Sequence, residues 1–233
     1  MKSTLVAQLK TARGLAFMLA NAPEIVGRRY SGTDKVEHGY LPYYRSQLQS
    51  LRLRRMVVFE IGVGGYQSPD PGGSLQMWRD YFPRSTIVGI DIQRKVFDFG
   101  PRVKFEQADQ SSPTDLQRVV DRHGRPTIVI DDGSHIGEHV HASFDHLWPQ
   151  LVSGGFYVIE DLATSFDPDF RGADPAPLDS AVALVQVLVT DTQVADPVHN
   201  VSGLVDSPMP GAQFFDVAET HVYPGIAFIR KRQ

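Results

Sequence analysis

Five apolar stretches of the chain end in acids. Glu60 lies in VVFEIGV, Asp91 in TIVGIDI and Asp109 closes VKFEQAD, while Asp131 and Asp132 follow TIVI, and Glu160 and Asp161 follow FYVI. Carboxylates crowded at the ends of apolar runs lose water and repel one another, so a recurrent set of them calls for a ligand. Paired acids at two neighbouring ends suit a hard cation, which takes oxygen ligands and keeps positions open for substrate. The stretch IDDGSHIGEHV adds His135 three residues after Asp132, a side chain able to take a proton near such a cation. A structural use stands beside this one, because Asp131 and Asp132 are also suited to capping the turn that follows.

The elements that must position these residues are legible from residue 57 onward, where short β-branched runs alternate with helical patterns. SLQMWRDYF places Leu75, Trp78 and Phe82 on one face and stops at Pro83. SSPTDLQRVVDRHG opens on Ser112 and Pro113 with Asp115 in capping-box spacing, and ends near Gly124. EHVHASFDHLW gathers Val140, Phe144, Leu147 and Trp148 on one stripe, which leaves His139, His141 and His146 on the outer face; His123 and His199 read as loop residues. A further helix is expected at about 178–194, and FFDVAETHVY and GIAFIRK, parted by Pro224, form a hairpin-like pair. The expectation is an α/β protein: a Rossmann-like, doubly wound, seven-stranded and mostly parallel sheet with helices on both faces and an antiparallel last strand. One domain covers 1–233, with residues 1–50 as a helical extension packed on a core of 51–233. The Pro- and Asp-rich stretch 163–180 reads as a long lid loop, and Tyr66, Phe166 and Phe170 are candidates to stack on a bound ligand.

Composition removes several classes of function. A formal charge of -4 with scattered Lys and Arg gives no footprint for nucleic acid. The absence of cysteine excludes disulfides, thiol nucleophiles and thiolate metal sites. GLAFMLANA looks like a short secretory core, but Leu5, Leu9, Ala12, Ala16 and Leu19 recur at a helical period and Lys2 and Lys10 interrupt the run, which favours an amphipathic helix. No stretch has the length of a membrane span, so a cytoplasmic protein without membrane contact is expected.

In open α/β sheets ligands bind outside the carboxyl ends of the strands, at the switch point of strand order. EIGVGG supplies Gly62 and Gly64 for a tight turn and close approach of backbone to ligand. A dinucleotide fingerprint would lead promptly into a helix, whereas YQSPDPGG intervenes here before Ser74. Asp91 at the tip of its strand is placed to bind two ribose hydroxyls, so adenosine without a diphosphate fits best. Three other readings share these residues: a nicotinamide-dependent oxidoreductase, a metal-dependent hydrolase, and a domain of this fold that has lost activity and serves as a scaffold. The first lacks the third glycine at its spacing, the second leaves the adenosine-like features without a use, and the third is disfavoured by a complete metal and base set.

FEIGVGGY, GIDI, QADQ, IDDGSH and GGFYVIED, in this order, resemble the class I S-adenosylmethionine-dependent O-methyltransferases. The resemblance is closest to the magnesium-dependent branch that methylates sugar hydroxyls, of the mycinamicin macrolide-sugar type. It spans roughly residues 30–165, with GTDKVEHGYLPYY matching the segment ahead of the first strand. The chain is also similar to the O-methyltransferase of the methylmannose polysaccharide pathway. The resemblance implies S-adenosylmethionine and Mg2+ as cofactors. It implies Glu60, Gly62 and Gly64 at the methionine end of the former, Asp91 at the ribose, Asp109 and Gln110 on the adenine, and Ser74 and Asp131 among its further contacts. Asp132, Glu160 and Asp161 would be the magnesium ligands, and His135 with Asp132 the catalytic pair. A glycoside or oligosaccharide acceptor and a homo-oligomer are likewise implied. Lys35, His38 and Tyr40 either reach the cofactor or acceptor or form a packed turn.

Overall fold

The computed structural model describes residues 22–30, 33–64, 71–173, 176–194 and 216–233. The expected helix over Leu5 to Leu19, Tyr66 and His199 lie outside the described residues. Seven strands make one sheet: β1 (Val57–Ile61), β2 (Thr86–Asp91), β3 (Val103–Gln107), β4 (Ile128–Asp131), β5 (Phe156–Ile159), β6 (Val217–Tyr223) and β7 (Ile226–Lys231). Their order is β3-β2-β1-β4-β5-β7-β6. The first five run parallel, and β7 is antiparallel to both β5 and β6. The switch point lies between β1 and β4, where the order turns from descending to ascending.

Among the described residues six α-helices cover the sheet: α1 (Pro23–Gly27), α2 (Leu41–Leu48), α3 (Gly73–Tyr81), α4 (Pro113–His123), α5 (Gly137–Gln150) and α6 (Ala181–Val194). Strand parity decides which side chains meet which layer, because successive residues point to opposite faces. Phe59, Ile61, Val129, Tyr157 and Ile159 pack with α4, α5 and α6, and Val58, Ile130, Val158 and Phe228 pack with α1, α2 and α3. Residues 23–48 therefore supply two of the three helices of one layer. Trp78 of that layer has 0% exposure and contacts Tyr44 and Phe82, at centroid distances of 4.7 and 5.9 Å. A side chain of that size contributes about 2–3 kcal/mol on burial.

Local chemistry sets the helix ends. Ser112 Oγ accepts from Asp115 N at 3.3 Å, the expected cap of α4. Asp115 does not complete a capping box; its carboxylate accepts from Asp109 N at 3.0 Å and pairs with Arg118, ligands closer to hand than the Ser112 amide. The C-terminal carbonyls of α5 are covered by cations, with Lys231 Nζ donating to Trp148 O and Leu151 O and Arg125 Nε to Gln150 O. Within the stretch expected as a loop, 3-10 turns form at Leu162–Phe166 and Pro168–Phe170. His123 closes α4 and is not a loop residue, because Glu106 holds its Nε2 at 2.7 Å. The outer-face histidines are half-buried: His139 Nδ1 meets Ser134 Oγ and His141 Nε2 meets Ser180 O, as the α5 flank is covered by neighbouring segments.

Candidate active site

Register aligns the carboxyl ends of the central strands. Ile61 pairs with Ile90 on one side and with Asp131 on the other, and Asp131 pairs with Ile159. The next residues along these strands, Gly62, Asp91, Asp132 and Glu160, therefore form one row across the rim. That row crosses the switch point.

The β1 end is built on close approach. Gly62 has φ +87°, and a Cβ there would lie 1.9 Å from the Asp132 carbonyl oxygen. Only a glycine lets the two strand ends come so near, so the motif glycine fixes where Asp132 stands. Asp91 Oδ2 accepts from Val63 N at 3.1 Å and Oδ1 from Gln93 N at 2.7 Å, which ties the tip of β2 to the glycine loop. Ile92, next along, is 57% exposed and leaves an apolar surface open beside this carboxylate.

Parity sorts the acids. Glu60 and Glu160 fall on the face covered by α2 and α3. Glu60 has 0% exposure and accepts from Ser74 Oγ and Trp78 Nε1, each at 3.0 Å. Lys35, also at 0% exposure, inserts its ammonium among Glu60 at 3.4 Å, Glu160 at 3.0 Å and Asp132. Tyr44 of α2 donates to Glu160 Oε1. Burial pushes the carboxyls of Glu60, Asp132 and Glu160 up; the Asp132 charge raises Glu160 further, and the Lys35 ammonium opposes the shift in all three. For Lys35 burial works downward, but the three carboxylates outweigh it and hold the amine well above its ordinary range.

Asp132, His135 and Asp161 lie together, each offering one ligand atom within 4.8 Å of the others. His135 Nε2 is 3.6 Å from Asp161 Oδ2, while Asp161 Oδ1 accepts from Tyr40 OH at 2.8 Å and faces His38 Nδ1 at 3.2 Å. His135 and Asp161 have φ of +58° and +54°, sparsely populated backbone for residues with a side chain. Arg171 at +61° joins them, and with Glu138, Phe170 and Asp179 it lines a cleft that opens on His135. Strained backbone at His135 and Arg171, both on the wall of this cleft, is a mark of functional sites.

Not every expected residue is presented here. Asp131 is buried at 2% exposure on the opposite face, where Ser143 Oγ and Tyr157 OH donate to one oxygen and Gln110 Nε2 to the other. Strand parity turns it inward, so it braces α5 and is not displayed toward a cofactor. Gln110 is also engaged at both ends, its Oε1 accepting from Ser134 N at 2.7 Å. Asp109 Oδ1 accepts from the amide and hydroxyl of Ser111. Phe170 meets the His135 ring edge-on at 5.7 Å, and Phe166 is 49% exposed. Tyr44 is the contact sequence reasoning missed; its spacing of four from Tyr40, on a helix start, was the available signal.

Sheet order, the glycine loop and the acidic rim define a Rossmann-like methyltransferase fold. The solved structure of MycE methyltransferase from the mycinamycin biosynthetic pathway, in complex with Mg, SAH and mycinamycin VI, superposes with a TM-score of 0.79 at 36% identity, over 91% of this chain and 54% of that one. The chain is homologous to sugar O-methyltransferases. Demethylmacrocin O-methyltransferase of Streptomyces fradiae is 39% identical over 233 residues, 97% of this chain and 58% of the relative. The 8-demethyl-8-alpha-L-rhamnosyl tetracenomycin-C 2'-O-methyltransferase of Streptomyces olivaceus is 42% identical over 205 residues, 86% of this chain and 52% of the relative. The chain thus spans little more than half the length of these relatives. No protein-family model matches it. No helix among the described residues is long and apolar enough to cross a membrane.

Proposed function

We propose that this chain transfers the methyl group of S-adenosylmethionine to a hydroxyl of a glycoside or oligosaccharide sugar, using Mg2+. The observation that carries the reading is the rim row of Gly62, Asp91, Asp132 and Glu160 at the switch point, with His135 and Asp161 beside it. The tetracenomycin relative, named for methylation of a rhamnosyl compound, supports the acceptor class.

Asp91 binds the ribose hydroxyls, Ile92 offers the adenine an apolar surface, and the backbone at Gly62 to Gly64 meets the methionine end. Asp109 borders the adenine side, while Gln110 braces Ser134 and Asp131 behind it. A hard divalent cation would be held by Asp132 and Asp161, whose ligand atoms lie within 4.8 Å of each other and of His135, with Glu160, joined to Asp132 through Lys35, as the third oxygen ligand. Bound there, the metal supplies Lewis acidity that lowers the pKa of an acceptor hydroxyl. His135 Nε2 takes the hydroxyl proton while the oxygen attacks the sulfonium methyl carbon. S-adenosylmethionine, when bound, would supply that methyl as an electrophile, the carbon–sulfur electron pair going to sulfur and S-adenosylhomocysteine being the product. The proton rests on His135, whose imidazolium is steadied by the Asp161 carboxylate at 3.6 Å. Phe170 holds the His135 ring from its edge and closes that side of the cleft.

The test is transfer of isotopic label from S-adenosylmethionine to a panel of methyl glycosides, with Mg2+ or with a chelator. Label should appear on a sugar with Mg2+ and disappear with the chelator. Metal-independent transfer, or label that stays on the donor across the panel, overturns the reading.

A further inference from the structure

Lys35 is buried at 0% exposure, yet its ammonium is shared by three carboxylates that serve different parts of the site. Two of them, Asp132 and Glu160, end the strands that carry the proposed metal ligands. The third, Glu60, belongs to the other half. Its Oε2 accepts from Ser74 Oγ and its Oε1 from Trp78 Nε1, both in α3. The residues that lead into α3 back the glycine loop: a Cβ on Gly64 would lie 3.3 Å from Pro71 Cα. An unbroken polar chain therefore runs from Asp132 through Lys35 and Glu60 to Ser74 and the wall of the glycine loop.

We propose that Lys35 is a positioning residue that couples the two halves of the site, so that S-adenosylhomocysteine and Mg2+ each change the other's affinity. The inference rests on the reading that these are the ligands of the site. A cation held by Asp132 and Glu160 repels the ammonium and competes for two of its three acceptors. With no water at 0% exposure to replace them, the ammonium shifts its hydrogen bonds toward Glu60. Glu60 then bears differently on Ser74 and on the start of α3, where the cofactor loop is braced. By linkage the effect runs equally in reverse. Sequence spacing gives no hint of it, because Lys35 precedes β1 and returns to the rim only through the packing of α1 and α2.

The experiment is calorimetric titration of Mg2+ into the full chain, alone and saturated with S-adenosylhomocysteine, for wild type and Lys35→Met. The two wild-type metal affinities should differ by about fivefold or more. In Lys35→Met the ratio should fall to within about twofold of unity. A merely structural role would lower the melting temperature and both affinities together but leave the ratio standing. A wild-type ratio of one, or a ratio that survives the substitution, overturns the coupling. Should Lys35→Met not fold, Ser74→Ala cuts the same chain at its far end and should shrink the ratio at least about twofold; an unchanged ratio there refutes the proposal equally. Absence of any Mg2+ or S-adenosylhomocysteine binding by wild type rejects the methyltransferase reading itself, whereas independent binding of both rejects the coupling alone.

Discussion

Gly62→Ala is the most informative single perturbation of the rim, because two costs can be separated. Gly62 has φ +87°, where an L side chain costs about 1–2 kcal/mol. Its added methyl would also lie 1.9 Å from the Asp132 carbonyl oxygen, which must move. Overpacking of that kind costs about 1–3 kcal/mol, so the two together give about 2–5 kcal/mol. At about 2–4 °C per kcal/mol for a chain of this size, melting should fall by about 4–20 °C. Gly100→Ala is the control, since Gly100 has φ +85° and nothing within 4 Å of its ideal Cβ. It should show the backbone cost alone. Thermal melts of both variants read the difference, and Mg2+ titration of Gly62→Ala should show weakened binding because the displaced carbonyl belongs to a proposed ligand. Equal melting temperatures for the two variants would refute the claim that close approach between β1 and β4 fixes the position of Asp132.

Other expectations follow from single residues. Ser112→Ala removes the cap of α4 and should cost about 1 kcal/mol in urea denaturation. Asp191 is buried with its Oδ2 lacking a partner among the described residues, and burial raises its carboxyl to about 6. The folded chain therefore holds that proton more tightly than the unfolded one, so the contribution is full below about pH 4 and is lost as pH rises through about 6. Relative to Asp191→Asn, wild-type stability should decline by up to about 3 kcal/mol between pH 4 and 7, and parallel curves would contradict it. His135→Asn keeps a residue tolerant of left-handed backbone and should lower the methylation rate by about 10² to 10⁴ while leaving S-adenosylhomocysteine affinity unchanged.

The sequence carries the fold well because the fold is periodic. Alternating apolar runs and helical stripes locate all seven strands, and the turn from β3-β2-β1 to β4-β5 is what βαβ connections produce. The rim was readable for the same reason, since an acid that follows an apolar strand must lie at its carboxyl end. What failed was parity at the ends. Asp131 and Asp132 are adjacent in sequence and opposite in space, and counting from the inward residues of β4 would have separated them. Lys35 and Tyr44 were harder to read. They lie far from the motif residues in sequence, and no local rule says that α2 folds over the ends of β1, β4 and β5.

The central claim is that the rim binds S-adenosylmethionine, and calorimetric titration of S-adenosylhomocysteine into wild type and Asp91→Ala tests it most directly. Binding in the micromolar range by wild type, lost in the variant, is the predicted result. Binding that persists undiminished in Asp91→Ala, or no binding by wild type with or without Mg2+, would contradict the account.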